Sequence, residues 1–123
     1  MRTKIVDTDV LIDYLRGTED AVAFIIGHVD DIKLSSISIT ELYAGVRPHE
    51  RTGMEAFLSL FEIVSIDSEL ARVAGLLKQT YFPSHGLRIA DAIVAATAQQ
   101  LSADLVTLNI RHYPMFPNLS PPY

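Results

Sequence analysis

Apolar positions along the chain follow two rhythms. Lys4–Val6 is a short β-branched run ending at Asp7, which predicts a first strand. Leu11, Tyr14 and Leu15 then follow helical spacing, and Gly17 stops that helix. Val22, Ile25, Ile26 and Val29 fit i, i+3, i+4, i+7 and predict a second helix. Asp31–Ser38 reads as a strand. Ile39, Leu42, Tyr43 and Val46 repeat the helical pattern, closed by Pro48, and Met54, Phe57, Leu58 and Phe61 give another helix. Ile63–Ile66 is a β-branched strand, and Asp67 after it is an ordinary helix N-cap. Leu70, Val73, Ala74 and Leu77 are again helical, and Ser84–Gly86 is a loop. Ala90, Ile93, Val94, Ala98 and Leu101 mark a long helix, and Leu105–Leu108 a last strand. The tail "YPMFPNLSPPY", from about residue 113, is proline-rich and irregular. Strands alternate with helices, and the strands carry almost no polar alternation. Both features predict an α/β fold with a mostly parallel sheet buried under helices.

Composition narrows the function classes. The 123 residues suit one domain, taken as 1–123, and 49% hydrophobic content allows a real core. No repeat or linker divides the chain. The absence of cysteine excludes a disulfide scaffold and a thiolate zinc site, and fits a reducing cytoplasm. The start, "MRTKIVDTDV", carries an acid seven residues in, so no signal-peptide core is expected there. No apolar run approaches the ~18 residues of a membrane span, so no membrane association is expected. The net charge of −5 argues against a broad basic surface for nucleic acid. It leaves room for an enzyme whose acids hold a divalent cation, because the ion inverts the local field.

Ligands of open α/β sheets bind beyond the carboxyl ends of the strands. Asp7 directly follows the first strand, and Asn109 the last. Glu41 falls in the first turn of the helix after the second strand, and Asp91 near the start of the "IADAIVAATA" helix. Four oxygen-bearing side chains are thus expected at one edge of the sheet. Simpler roles compete: Asp7, Thr8 or Asp9 as a helix cap, Asn109 as a turn residue, and Glu41 as the partner of Ser38 in a capping box. Asp91 is the only charged residue from Ile89 to Ala98. A helix apolar on nearly all sides is buried, and a buried carboxylate needs a cation, a proton or several donors. Carboxylates without cysteine or a histidine ligand spacing suit Mg²⁺ or Mn²⁺. The four histidines show no such spacing, and there is no glycine-rich phosphate loop or nucleophile elbow.

Four stretches, "IVDTDVLIDYLRG", "SSISITELYAGV", "GLRIADAIVAATA" and "ADLVTLNIRHYPMF", stand in an order and at separations that resemble the PIN-domain proteins, closest to VapC-type toxins of toxin–antitoxin pairs. The resemblance spans Ile5 to about Phe116. It implies a three-layer α/β/α sandwich and a Mg²⁺- or Mn²⁺-dependent ribonuclease. It also implies silencing by a cognate VapB-type antitoxin, and a homodimer within a larger complex. Asp7, Glu41 and Asp91 match the family's acids, as catalytic residues and metal ligands. Thr8, Asp9, Asn109 and His112 are supporting candidates, and Arg88 and Arg111 are candidates for contacting the RNA backbone. Two positions depart from the family pattern. Asp9 stands where asparagine is usual, and the last motif offers Asn109 and His112 where an acid is frequent.

Two other readings remain at this stage. "IVDTDVL" also resembles the first motif of haloacid dehalogenase-type phosphatases, with Asp7 as nucleophile and Asp9 as general acid. The missing acid near Asn109 would also suit an inactive PIN-fold protein that binds RNA or an antitoxin.

Overall fold

The computed structural model describes residues 2–123. Strand β1 (Lys4–Val6) leads into helix α1 (Thr8–Leu15), then α2 (Glu19–His28), β2 (Ile32–Ser35), α3 (Ser36–Gly45) and α4 (Arg51–Leu58). Strand β3 (Glu62–Val64), helices α5 (Ser68–His85) and α6 (Ile89–Gln100), and strand β4 (Asp104–Val106) complete the order. The four strands form one sheet in the order β3-β2-β1-β4, and every pairing is parallel. In register, Ile5 lies beside Leu105 and Val6 beside Val106. Ile5 and Leu105 therefore face one layer, with Leu70, Ala74 and the buried positions of α6. Val6 and Val106 face the other, with Val10, Leu11, Ile25, Leu42, Phe57 and Phe61. Each such buried aliphatic or aromatic side chain stabilises the fold by about 1.5–3 kcal/mol relative to an exposed one. Three layers result, α/β/α, with helices over both faces of a fully parallel sheet.

Helix α6 is the most enclosed of the described helices. Ala92, Val94, Ala95, Ala96, Thr97 and Ala98 are all buried, and the alanines let this helix pass close between the sheet and α5. Several boundaries differ from the periodicity reading. The second strand ends at Ser35 rather than Ser38, because the Ser35 hydroxyl caps α3 by accepting from the Ile37 amide at 3.2 Å. Glu41 is therefore in the second turn of α3, not the first. Helix α5 runs through Ser84 and His85, with Pro83 inside it, and stops where Gly86 takes a left-handed φ of 70°. Asp67 caps α5 as the sequence predicts, its side chain accepting from the Leu70 amide at 2.8 Å. After β4 the chain makes a short 3-10 turn, Ile110–His112, and continues without helix or strand. Tyr113, assigned by its sequence to the irregular tail, is nonetheless buried in the core, at 1% exposure. No helix among the described residues is long and apolar enough to cross a membrane.

Candidate active site

The strand order sets the position of the site. The chain builds β1, β2 and β3 toward one edge, then returns to place β4 on the other side of β1. That reversal makes the carboxyl ends of β1 and β4 the topological switch point of the sheet, the place where α/β sheets bind ligands. The Asp7 amide extends the β1–β4 pairing by donating to the Val106 carbonyl at 2.8 Å. Asp7 and Thr107, each the first residue past its strand, are thus held side by side.

Asp7 is 5% exposed and is the N-cap of α1. Its Oδ1 accepts from the Thr8 amide at 2.8 Å, and its Oδ2 accepts from the Thr107 hydroxyl at 2.9 Å and the Tyr113 hydroxyl at 2.9 Å. Burial pushes the Asp7 carboxyl up from 3.8 to about 6, and the neighbouring charge of Asp9 adds to the rise; the three hydrogen bonds oppose it. Asp9 accepts from the Val10 amide at 2.7 Å and from the Leu108 amide at 3.0 Å. It too is held above the ordinary value, chiefly by burial. The Thr107 hydroxyl has one proton, and the 2.9 Å contact to Asp7 takes it in preference to the 3.4 Å contact to Asp9.

Asp91 is also 5% exposed. It is the third residue of α6, and its Oδ2 accepts from the Arg88 amide at 3.2 Å, which ties it to the positive end of the helix dipole. The Arg88 Nε lies 3.7 Å from the same oxygen and the His112 Nδ1 3.4 Å. The other oxygen, Oδ1, is 3.4 Å from the Tyr113 hydroxyl. Asp7 and Asp91 are thus separated by a single side-chain oxygen. Glu41 is reached through Thr8, whose Oγ1 donates to Glu41 Oε1 at 2.7 Å and lies 2.9 Å from the Ser38 hydroxyl. The capping box suggested by the Ser38–Glu41 spacing does not form; Ser35 is the cap, and Ser38 faces Thr8.

Among the described residues, no three carboxylate or histidine side chains stand ready to share one ion. The acids are joined pairwise by hydroxyls instead. The donor set still suits a hard divalent cation: two buried carboxylates separated by one oxygen atom, with no thiolate. The raised value of Asp7 marks the same deficit of positive charge, which a cation would relieve. The supporting candidates divide. Thr8 and Asp9 are bonded into the cluster, while Asn109 joins it only through its backbone amide, which donates to Thr107 Oγ1 at 3.0 Å. His112 touches Asp91. Arg88 is 70% exposed at its side chain, over the mouth of the site, and Arg111 is exposed on the turn after β4. Sequence reasoning missed Ser38, Thr107 and Tyr113. The strand-end rule that found Asp7 applies equally to Thr107, whereas nothing local marks Tyr113.

The PIN domain family matches residues 4–115 of this chain. The chain is 41% identical to the ribonuclease VapC19 of Mycobacterium tuberculosis over 124 aligned positions, covering 98% of this chain and 99% of that protein. It is 36% identical to the ribonuclease VapC10 of the same organism over 122 positions, covering 97% and 92%. A solved toxin–antitoxin complex from Klebsiella pneumoniae contains a chain with the same fold, at a TM-score of 0.85 and 29% identity, with 98% of each chain covered. Sequence, sheet order and similarity over the full length agree: the chain belongs to the PIN-domain family, among its VapC-type members.

Proposed function

We propose that the protein is a Mg²⁺- or Mn²⁺-dependent endoribonuclease, acting in the cytoplasm as the toxin of a type II toxin–antitoxin pair. The observation that carries this reading is the pair of buried carboxylates, Asp7 and Asp91, one hydroxyl apart at the strand switch point. Ribonuclease relatives of nearly equal length support the substrate class. A divalent cation at Asp7 and Asp91 supplies positive charge to a phosphate and makes nearby water more acidic. The remaining work falls to the chain. Thr8 holds one oxygen of Glu41 and leaves the other free to orient the attacking water. The Asp9 bond to the Leu108 amide pins the loop after β4 against the site. Arg88 and Arg111 are the exposed cations that meet the RNA backbone.

A groove of about 1000 Å³ runs from Glu41 past Tyr14, Leu42, Met54 and Phe57, with Arg16 and Arg47 along it. A VapB-type antitoxin segment with apolar anchors and an acidic flank would fit it and end beside the catalytic acids, which gives inhibition a direct route. Val73 and Leu76, one turn apart, remain exposed on α5 and suit a homodimer contact.

An inactive binding protein is the second reading, supported by the fact that no three acids converge among the described residues. Cleavage of a mixed RNA pool by partner-free protein, with Mg²⁺, Mn²⁺ or chelator, separates the two. Metal-dependent cutting that is lost in Asp91→Asn supports the nuclease. Folded protein that cuts nothing under any condition supports the binding role, and cutting by Asp91→Asn equal to wild type refutes the site.

A further inference from the structure

Tyr113 is the largest fully buried side chain of the protein, and its hydroxyl is placed between two acids. The ring is held on the α6 side of the sheet, with Phe116 edge-on at 6.5 Å between centroids. A buried phenol hydroxyl needs a hydrogen-bond partner, and any one acceptor would serve. This one has Asp7 Oδ2 at 2.9 Å and Asp91 Oδ1 at 3.4 Å. It has one proton, and the shorter contact assigns that proton to Asp7.

The two oxygens of Asp7 are treated differently. Oδ2 receives two hydroxyl donors, Thr107 and Tyr113, which fill its two lone-pair positions. Oδ1 receives only the Thr8 amide and keeps one position open. The tyrosine therefore grips Asp7 by the oxygen already in use and leaves the other available; its own oxygen, its proton given to Asp7, lies 3.4 Å from Asp91 Oδ1. That arrangement orients a carboxylate without blocking it.

We infer that Tyr113 is a positioning residue for the cation site: its hydroxyl fixes the orientation of Asp7, with Oδ1 left open, and so raises the affinity of the Asp7–Asp91 pair for a divalent ion. The inference rests on the reading that these two acids hold the metal. Hydrogen-bonding partners of metal ligands are worth about 10–100-fold in affinity when removed. Tyr113→Phe keeps the ring and its packing on Phe116, so the folded state is retained. Calorimetric titration of the partner-free protein with Mn²⁺ at about pH 8, above the raised value of about 6 for Asp7, is the test. Tyr113→Phe is expected to bind Mn²⁺ about tenfold more weakly than wild type, with an unchanged circular dichroism spectrum. Binding equal to or tighter than wild type in Tyr113→Phe overturns the inference alone, and tighter binding identifies the hydroxyl as a competitor of the ion. If wild type takes up no Mn²⁺, the metal reading itself falls, and the inference with it. Tyr113→Met, which removes the hydroxyl while filling the space with a flexible apolar chain, replaces the phenylalanine variant should that variant fail to fold.

Discussion

Replacing Asp7 by asparagine, in chelator, is expected to change how stability follows pH, with a sign opposite to that of an ion-paired carboxylate. Burial and the nearby Asp9 charge raise the Asp7 carboxyl from 3.8 to about 6. The folded chain thus prefers the protonated acid. Its stabilising contribution is fully present below pH 3.8 and is lost as pH rises through about 6. A rise of that size corresponds to about 3 kcal/mol of destabilisation of the metal-free protein at neutral pH. Asp7 is nearly fully buried, so solvent screening takes little from this figure. Somewhat under half of that change falls between pH 7 and pH 5, where the linkage relation gives about 1 kcal/mol. Urea unfolding of wild type and Asp7→Asn at these two pH values provides the measurement, and the difference between the proteins cancels groups that do not interact with Asp7. Wild type is expected to gain about 1 kcal/mol on the variant as pH falls from 7 to 5. No gain would show that the fold does not favour the protonated acid, and a loss that it stabilises the charged form. The crowding of uncompensated acids would then be wrong as an account of this site.

Thr8→Val removes the donor that fixes Glu41. It is expected to lower single-turnover RNA cleavage by about tenfold or more while leaving the circular dichroism spectrum intact. Gly86→Ala forces a side chain onto a backbone with φ of 70° at the end of α5, and is expected to cost about 1 kcal/mol in urea unfolding, a cost absent if α5 ends differently. Leu60 lines the groove and is 61% exposed. Leu60→Lys is expected to raise the antitoxin concentration needed for half-inhibition, and unchanged inhibition would place the antitoxin elsewhere.

How much of this was legible in the sequence depends on where each residue lies relative to a strand end. Asp7 could be found because a short apolar strand stops abruptly at an acid, and the alternation of strands and helices put that stop at the ligand edge of a parallel sheet. Asp91 could be found because its helix is apolar all round, which forces its burial before any contact is known. The start of α3 was not legible. "SSISI" satisfies an alternating strand as well as a helix, and the choice is made by the Ser35 hydroxyl capping the Ile37 amide. That local bond shifts Glu41 by a turn without moving it from the site.

The last motif shows a different limit. The sequence reading looks there for an acid and finds Asn109 and His112 in its place. The structure fills the position with donors: Thr107 and Tyr113 both give their protons to Asp7. A fourth carboxylate among Asp7, Asp9 and Asp91 would add another negative charge to a place where burial already raises Asp7 and Asp9. Hydroxyls order the acids that are present without adding to that charge. Tyr113 could not be identified from its neighbours, because its burial requires the turn at Ile110–His112 to fold the chain back against α6 and Leu87. A role that depends on such a return contact has no local periodicity to announce it. The motif that looks incomplete as a list of acids is, in the fold, the one whose hydroxyls hold the first acid and whose His112 lies 3.4 Å from the third.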